Sequence, residues 1–265
     1  MPKFNDFDLN DWKNLSDIET YSLWIIEKRD NSGKHSNFYH GNFVPQIPRQ
    51  LIKRYTKKGE VVLDTFLGSG TTMYEAENQK RSCIGIELKQ ELVNNVSNNM
   101  PFITENCFYQ AVCGDCTTDN TYTRVSNILK EHNKKSVQLV IMHPPYFDIL
   151  KFSENPADLS NSQDLQSFIL SFGCAVEKAV NILDKNRYLA VVIGDKYSAG
   201  QWYPLGFYCM EEAQKHNLLL KSIIVKNMGG NRGKQNQESI WRYRALSSDY
   251  YIFKHEYIFL FKKVK

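Results

Sequence analysis

The sequence predicts a doubly wound α/β fold, with a mostly parallel sheet of seven strands and an antiparallel closing strand. Short apolar runs alternate with helical segments along most of the chain, which is typical of a parallel sheet covered on both faces. Several runs end in an acidic residue or in a turn that contains glycine. A basic segment, not a helix, separates the last two runs, and this favours an antiparallel pair at one end.

The first half of the chain repeats a strand, a loop and a helix. The apolar run 61–63 ends in Asp64 and a glycine turn, and the run 82–87 ends in Glu87. Continuous apolar runs of this length suit parallel strands that are buried on both faces. The predicted elements are strands at 61–63, 82–87, 107–113 and 137–142, and helices at 71–79, 88–99 and 122–132.

The second half begins with a long amphipathic segment, 163–183, whose apolar residues recur at helical spacing. Pro204 suits the first turn of the next helix, because a proline there sacrifices no hydrogen bond. The remaining predicted elements are a helix at 204–216 and strands at 188–193, 218–225 and 250–261.

Composition and length bound the class of protein. The 265 residues are 42% hydrophobic and 23% charged, which is typical of a folded domain and not of a disordered chain. No apolar run approaches the roughly 18–20 residues that a bilayer span needs, and residues 1–8 carry no apolar signal core. We therefore expect one cytoplasmic domain over 1–265 with no membrane contact, in which residues 1–37 form an N-terminal cap.

The six cysteines are scattered and indicate reduced structural thiols in a cytosolic protein. Cys113 and Cys116 have the spacing of metal ligands, but no second pair and no nearby histidine accompany them. We therefore predict no metal site.

Positive charge is concentrated in one segment, although the net charge of the whole chain is only +4. The segment 226–244 contains five basic residues and one acid, with two aromatic residues among them. This mixture favours contact with nucleic acid. The predicted contact residues are Arg232, Lys234, Trp241, Arg242, Tyr243 and Arg244, in a basic recognition loop.

The turn Gly68-Ser69-Gly70 lies where a strand gives way to a helix, and glycine there lets another group approach the backbone closely. Backbone N–H groups at a helix N-terminus suit a ligand that carries a carboxylate. Neither a phosphate-binding lysine nor a third glycine follows at the spacing of the nucleotide motifs. Glu87, about 20 residues further on, is placed to accept ribose hydroxyls. Asp115, after the third strand, is placed to accept an adenine amino group.

Two motifs carry a family resemblance. Residues 64–72 read Asp-Thr-Phe-Leu-Gly-Ser-Gly-Thr-Thr and resemble the Asp-Pro-Phe-x-Gly-Ser-Gly-Thr-Thr cofactor loop of the amino DNA methyltransferases. His143-Pro144-Pro145-Tyr146 is similar to their Asp/Asn/Ser-Pro-Pro-Tyr catalytic loop. The segment 39–48 resembles the one that packs under the methionine end of their cofactor, and 255–262 resembles their last strand, so the resemblance covers roughly 37–262.

The resemblance implies a Rossmann-like methyltransferase that uses S-adenosylmethionine to methylate N6 of adenine or N4 of cytosine in double-stranded DNA, on a flipped base. The implied catalytic residues are His143, Pro144, Pro145 and Tyr146. The expected cofactor-binding residues are Asn42, Phe43, Asp64, Phe66, Gly68, Ser69, Gly70, Thr71, Glu87 and Asp115.

Two positions depart from the family pattern. Thr65 replaces a proline, which changes loop rigidity more than chemistry. His143 replaces Asp, Asn or Ser, whose oxygen accepts a hydrogen bond from the target amine in this family. A neutral imidazole has one acceptor nitrogen and can do the same, whereas a protonated one cannot. Tyr146 is expected to stack on the extruded base.

Several alternatives remain open on the sequence. Methylation of an RNA amine, methylation of a protein glutamine, and nucleic-acid binding without catalysis each fit part of the pattern. Methylation of cytosine carbon 5 is disfavoured, because no proline is followed by the cysteine nucleophile which that reaction uses. No stretch is left for a separate target-recognition domain, so we expect specificity to come from 147–162, 197–203 and 226–244. A restriction endonuclease partner is possible.

Overall fold

The structure is a computed structural model that describes residues 3–35, 41–104, 106–228 and 238–264. The strands are β1 (Leu23–Trp24), β2 (Val61–Asp64), β3 (Ser82–Glu87), β4 (Tyr109–Cys113), β5 (Val137–Met142), β6 (Leu183–Ile193), β7 (Lys196–Ser198), β8 (Gln201–Tyr203), β9 (Leu218–Asn227) and β10 (His255–Lys263). The α-helices are α1 (Gln46–Tyr55), α2 (Thr71–Asn78), α3 (Gln90–Asn99), α4 (Asp119–Glu131), α5 (Leu165–Ile182), α6 (Leu205–Gln214) and α7 (Glu238–Leu246). Short 3-10 turns lie at Leu9–Asn14, Phe147–Ile149 and Leu159–Asn161.

The main sheet confirms the predicted fold class. Within the described residues it has eight strands in the order β1-β9-β10-β6-β5-β2-β3-β4. Strands β2 to β6 pair in parallel, and β10 runs antiparallel between β6 and β9. The strand beyond the predicted seven is β1, a two-residue edge strand that pairs with the end of β9. It comes from the segment predicted only as a cap.

Helices cover both faces of the sheet. On one face α1 and α2 bury an apolar cluster that includes Ile47, Leu51 and Met73. On the other face α4, α5 and α6 bury a second cluster around Phe168 and Phe172. The central strands β2, β3 and β5 between them are almost entirely buried, which explains why they appear in the sequence as apolar runs.

Helix α1 was not among the predicted helices. Its buried residues Ile47, Leu51, Ile52 and Tyr55 recur at helical spacing. Pro45 precedes this helix and Pro48 lies in its first turn, where a missing N–H is tolerated. Those prolines therefore start the helix instead of breaking it.

The prediction of one basic loop over 226–244 is wrong at both ends. Residues 226–227 complete β9, and Glu238–Leu246 form α7. The predicted strand at 250–261 begins only at His255. Before it, an aromatic segment packs on the β7–β8 hairpin, with the rings of Tyr250 and Tyr197 4.3 Å apart.

Buried charges fasten the N-terminal segment to the core. Arg49 of α1 contacts Glu75 of α2 at 3.0 Å and Asp30 at 2.5 Å. His35 lies 2.7 Å from the same Glu75 carboxylate, and both side chains are almost fully buried. Removing one partner of such a network leaves a buried charge unpaired, so the N-terminal segment is an integral part of this fold.

The six cysteines are free thiols. Burial raises the pKa of Cys116 and of Cys209, so both stay protonated and unreactive. No cluster of three or more potential metal-binding side chains occurs in the part of the chain that the structure describes. Among the same residues, no helix is both long and apolar enough to cross a bilayer.

Gly70 has a positive φ of +90°, and an added Cβ would lie 2.9 Å from Val96 of α3. Gly59 has a similar φ of +75° with nothing within 4 Å. We expect Gly59→Ala to lower the free energy of unfolding by about 1–2 kcal/mol through backbone strain alone. Gly70→Ala is expected to lose a further ~1–3 kcal/mol from overpacking. Urea denaturation of both variants measures the difference, and equal losses would contradict the close approach of α3.

Candidate active site

The two sequence motifs meet because β2 and β5 are neighbours in the sheet. Asp64 at the end of β2 pairs with Ile141 near the end of β5, and the Thr65 N–H bonds to the Ile141 carbonyl at 3.3 Å. The carboxyl ends of parallel strands share one edge, so the loop after β2 and the loop after β5 lie side by side. A cavity of about 490 Å³ opens at this edge.

Most of the predicted site residues line this cavity. From the predicted cofactor and catalytic sets they are Asn42, Phe43, Phe66, Gly68, Thr71, Glu87, Asp115, His143, Pro144, Pro145 and Tyr146. Asp64, Ser69 and Gly70 are not among the residues that line the cavity. At Gly70 the missing side chain lets Val96 of α3 approach the backbone.

Glu87 joins the end of β3 to the glycine turn. Its Oε2 accepts a hydrogen bond from the Gly68 N–H at 2.8 Å, and its Oε1 accepts one from the Lys89 N–H at 2.9 Å. Burial raises the pKa of Glu87, and the backbone N–H groups oppose that shift. Each carboxylate oxygen keeps a second lone pair, so the residue can still accept hydroxyl groups from a ligand.

Asn42 brings a free donor to the cavity. Its Oδ1 accepts a hydrogen bond from the Ser69 hydroxyl at 2.7 Å. Its Nδ2 is buried and has no hydrogen-bond partner among the described residues. Such a donor costs free energy unless a ligand satisfies it. Arg29 fixes this segment by donating to the Phe43 carbonyl at 2.8 Å, which links the N-terminal cap to the cavity.

Asp64 is fully buried beneath the glycine turn. Its Oδ1 accepts from the Phe66 N–H at 2.9 Å, while its Oδ2 has no partner among the described residues. Burial raises the pKa of Asp64 to about 6. Asp115, after β4, holds its own turn, because its Oδ1 accepts from the N–H and the hydroxyl of Thr117 at 2.8 and 2.7 Å.

The catalytic loop is hydrogen-bonded to β10, and the β10 residue that it contacts is bonded in turn to β9. His143 Nε2 lies 3.3 Å from Tyr146 Oη, and the Tyr146 hydroxyl donates to Glu256 Oε2 at 2.8 Å. Lys226 Nζ donates to Glu256 Oε1 at 2.8 Å. The ring of Tyr146 packs against Gly194, where an added Cβ would lie 2.8 Å from Cε2.

Lys226 and Glu256 line the cavity, and the sequence reasoning missed them as site residues. Lys226 was counted with the basic recognition segment, but its side chain is buried against Glu256. A signal was present: opposite charges stand at the ends of two apolar strands that the sequence predicts to pair.

His143 is neutral near pH 7. Burial lowers its pKa to about 4, and of the nearby charges Glu256 raises the value while Lys226 lowers it. Burial and the Glu256 carboxylate raise the pKa of Tyr146 well above its ordinary value, so its hydroxyl stays protonated. The loop therefore presents an uncharged imidazole to the cavity.

Of the predicted nucleic-acid residues, those that the structure describes are not part of the cavity lining. Arg232 and Lys234 fall outside the described residues. Arg242, Tyr243 and Arg244 are exposed on α7, with Tyr243 73% accessible. The guanidinium of Arg244 lies 5.3 Å from the centre of the Trp241 ring, which is a cation–π contact.

Comparisons with known proteins show what the chain is similar to. The DNA methylase family model matches residues 7–98, a segment that includes the glycine turn and Glu87. The type II methyltransferase M.MjaII of Methanocaldococcus jannaschii is 22% identical over 83% of this chain and 44% of its own length. M.BglI of Bacillus subtilis is 35% identical over 29% of this chain and 21% of its own length.

The chain is thus similar to the amino-methyltransferase family. It spans less than half the length of these two curated relatives. Two solved structures share the fold: TrmN of Thermus thermophilus has a TM-score of 0.52 at 13% identity, with 84% of this chain and 49% of that one covered. A SAM-dependent methyltransferase of Methanosarcina mazei has a TM-score of 0.52 at 9% identity, with 81% and 97% covered.

The match to the DNA methylase family model ends before the catalytic loop. The residues that the family model matches stop at 98, so position 143 is not part of that match. The similarity to this family makes S-adenosylmethionine the cofactor to test against the cavity.

The low pKa of His143 gives a testable pH dependence. An unfolded histidine binds a proton below about pH 6.5, whereas folded His143 binds one only near pH 4. The unfolded state therefore holds the extra proton between these values, and the free energy of unfolding falls as pH drops from about 6.5 towards 4. Urea denaturation should show a steeper fall for the wild type than for His143→Asn. Titration of the His143 ring near pH 6.5 in NMR spectra would contradict this.

Proposed function

We propose that this protein transfers a methyl group from S-adenosylmethionine to an exocyclic amine, N6 of adenine or N4 of cytosine, of a flipped base in double-stranded DNA. The observation that carries the proposal is that the glycine turn, Glu87 and the His143-Pro144-Pro145-Tyr146 loop line one cavity. A single cavity brings methyl donor and acceptor together, which is what a direct transfer requires.

The cavity fits the proposed cofactor. Asn42 would donate its unpartnered Nδ2 hydrogens to the methionine carboxylate, beside the N-terminus of α2. Glu87 would accept from the ribose hydroxyls with its remaining lone pairs, and Asp115 would accept from the adenine amine. The cofactor supplies an electrophilic methyl group on a positively charged sulfur.

The catalytic loop would prepare the acceptor. The lone pair of an exocyclic amine is delocalised into the base ring, so the nitrogen is a weak nucleophile. Hydrogen bonds from the amine to the neutral His143 and to the Pro144 carbonyl would favour tetrahedral nitrogen and orient its lone pair. Tyr146 would stack on the base, which must leave the duplex to reach the cavity.

The substrate class rests on the relatives. Both are named type II methyltransferases, and the family model is that of DNA methylases. These names support a role in restriction-modification in the cytoplasm, in which an endonuclease cuts the same DNA when it is unmethylated. Exposed basic and aromatic residues on α7 supply the surface chemistry for the phosphate backbone.

Nucleoside analysis tests the proposal. Unmethylated DNA and total RNA are incubated separately with the protein and isotope-labelled S-adenosylmethionine, digested, and examined by mass spectrometry. We expect label in N6-methyldeoxyadenosine or N4-methyldeoxycytidine with wild type. His143→Ala should lose this product by at least about 10²-fold while still binding cofactor. Label confined to RNA, or absent from both substrates, would overturn the proposal.

Cofactor binding should depend on Glu87. Glu87→Gln removes a charge and leaves one oxygen acceptor for two backbone N–H groups, so we expect calorimetry to show S-adenosylmethionine binding weakened by about 1–3 kcal/mol. Glu91→Gln, at an exposed position of the first turn of α3, removes the same formal charge outside the cavity. This control should bind like wild type, and equal affinities of all three proteins would remove Glu87 from the site.

DNA binding should depend on α7 through charge. Each of Arg242 and Arg244 that neutralises a phosphate should contribute about 0.9 to the slope of log affinity against log salt concentration. The double Ala variant should therefore show a slope lower by up to about 1.8. The control removes Lys130 and Lys135, two exposed charges at the opposite edge of the sheet. A larger change of slope in the control would place the DNA elsewhere.

A further inference from the structure

Four polar groups form a connected series behind the catalytic loop. His143, Tyr146, Glu256 and Lys226 are linked by contacts of 3.3, 2.8 and 2.8 Å. Lys226 and Glu256 are only 5% and 6% exposed. A buried ion pair carries a desolvation cost that packed apolar residues would avoid, so it is weak evidence for stability. The proposed cofactor and amine contacts leave this pair without a role.

The direction of each hydrogen bond follows from the chemistry of the groups. A carboxylate can only accept, and Glu256 accepts from Lys226 at one oxygen and from Tyr146 at the other. The single hydroxyl hydrogen of Tyr146 is thereby committed to Glu256. The Tyr146 oxygen can then act towards His143 only as an acceptor, so His143 Nε2 must carry the hydrogen.

A neutral imidazole has one N–H, and placing it on Nε2 leaves Nδ1 bare. His143 lines the cavity, and its Nδ1 has no hydrogen-bond partner among the described residues. We propose that Glu256, anchored by Lys226, sets the tautomer of His143 through Tyr146, so that bare Nδ1 accepts the hydrogen bond of the target amine. This role rests on the proposed function.

The pairing of the strands in the sheet positions these groups. Glu256 and Lys226 are directly opposite each other in the antiparallel pair of β10 and β9. Gly194 directly follows β6, the other neighbour of β10, and its missing side chain lets the Tyr146 ring lie within reach of Glu256. The positions of the three partners of His143 are therefore determined by strand pairing and not by a mobile loop.

The histidine at position 143 explains why the tautomer has to be controlled. The Asp, Asn or Ser of the resembled motif presents an oxygen that accepts whatever its neighbours donate. A histidine accepts with the correct nitrogen in only one of its two neutral tautomers. Glu256 and Lys226 are thus positioning residues for His143, and they touch neither the base nor the cofactor in this account.

NMR of the protein labelled with 15N-histidine tests the tautomer without DNA or cofactor. In wild type we expect His143 to show a protonated Nε2 and a bare Nδ1. Tyr146→Phe keeps the ring and removes the hydroxyl, and Glu256→Gln lets the tyrosine hydrogen turn towards His143. Both variants should show a measurable Nδ1–H population. A protonated Nδ1 in wild type, or an unchanged nitrogen pair in both variants, would overturn the proposal.

Kinetics on DNA then test the consequence by a double-mutant cycle. Glu256→Gln should lower kcat roughly tenfold to a hundredfold, with the cofactor Kd unchanged. In a His143→Asn background the same change should leave kcat nearly unchanged, because an amide oxygen has no tautomer to set. Glu212→Gln changes another buried carboxylate, which pairs with the exposed Lys215; it is the control and should retain wild-type kcat. Equal losses in both backgrounds would show that Glu256 acts only on structure.

If no methylation of DNA is found, the proposed function fails, but the NMR experiment still decides the tautomer. If the folded Glu256→Gln protein cannot be obtained, the double variant Lys226→Met, Glu256→Gln is used in the NMR experiment instead. It removes both buried charges. An Nδ1–H population in that variant supports the proposal, and a wild-type nitrogen pair contradicts it.

Discussion

The site depends on one constraint, the parallel pairing of β2 with β5. This pairing places the end of the glycine-turn strand beside the end of the catalytic-loop strand, with Asp64 opposite Ile141. Because both strands are buried and apolar, a shift of register would expose their core residues, so the juxtaposition is strongly specified. Two motifs nearly 80 residues apart in sequence thereby share one cavity, and Glu87 joins it from the next strand, β3.

The antiparallel end of the sheet completes the same cavity from the other side. Placing β10 between β6 and β9 brings Glu256 and Lys226 to the edge at which the parallel strands end. A charged pair at this edge can control a hydrogen-bond network in the catalytic loop, which apolar residues there could not do. The N-terminal segment closes a third side, since Arg29 holds the backbone beside Phe43, whose ring lies 4.8 Å from that of His143.

Much of the fold was predictable because buried parallel strands leave an unambiguous apolar signal. The Gly68-Ser69-Gly70 turn and the His143 loop were also found from the sequence, since each follows such a strand. Residues whose role depends on pairing distant strands were not found: Lys226 was assigned to a solvent-facing basic segment, although it faces Glu256 inside the sheet. The edge strand β1 was missed because two residues carry no periodicity.

The central claim is that one cavity holds the methyl donor directly against the catalytic loop. NMR with S-adenosylmethionine labelled with 13C in its transferable methyl group measures this most directly, without DNA and without turnover. We predict nuclear Overhauser effects from that methyl group to the rings of Pro144 and Tyr146, which line the same cavity as the glycine turn. A bound cofactor whose methyl group shows effects only to residues outside this lining would contradict the account.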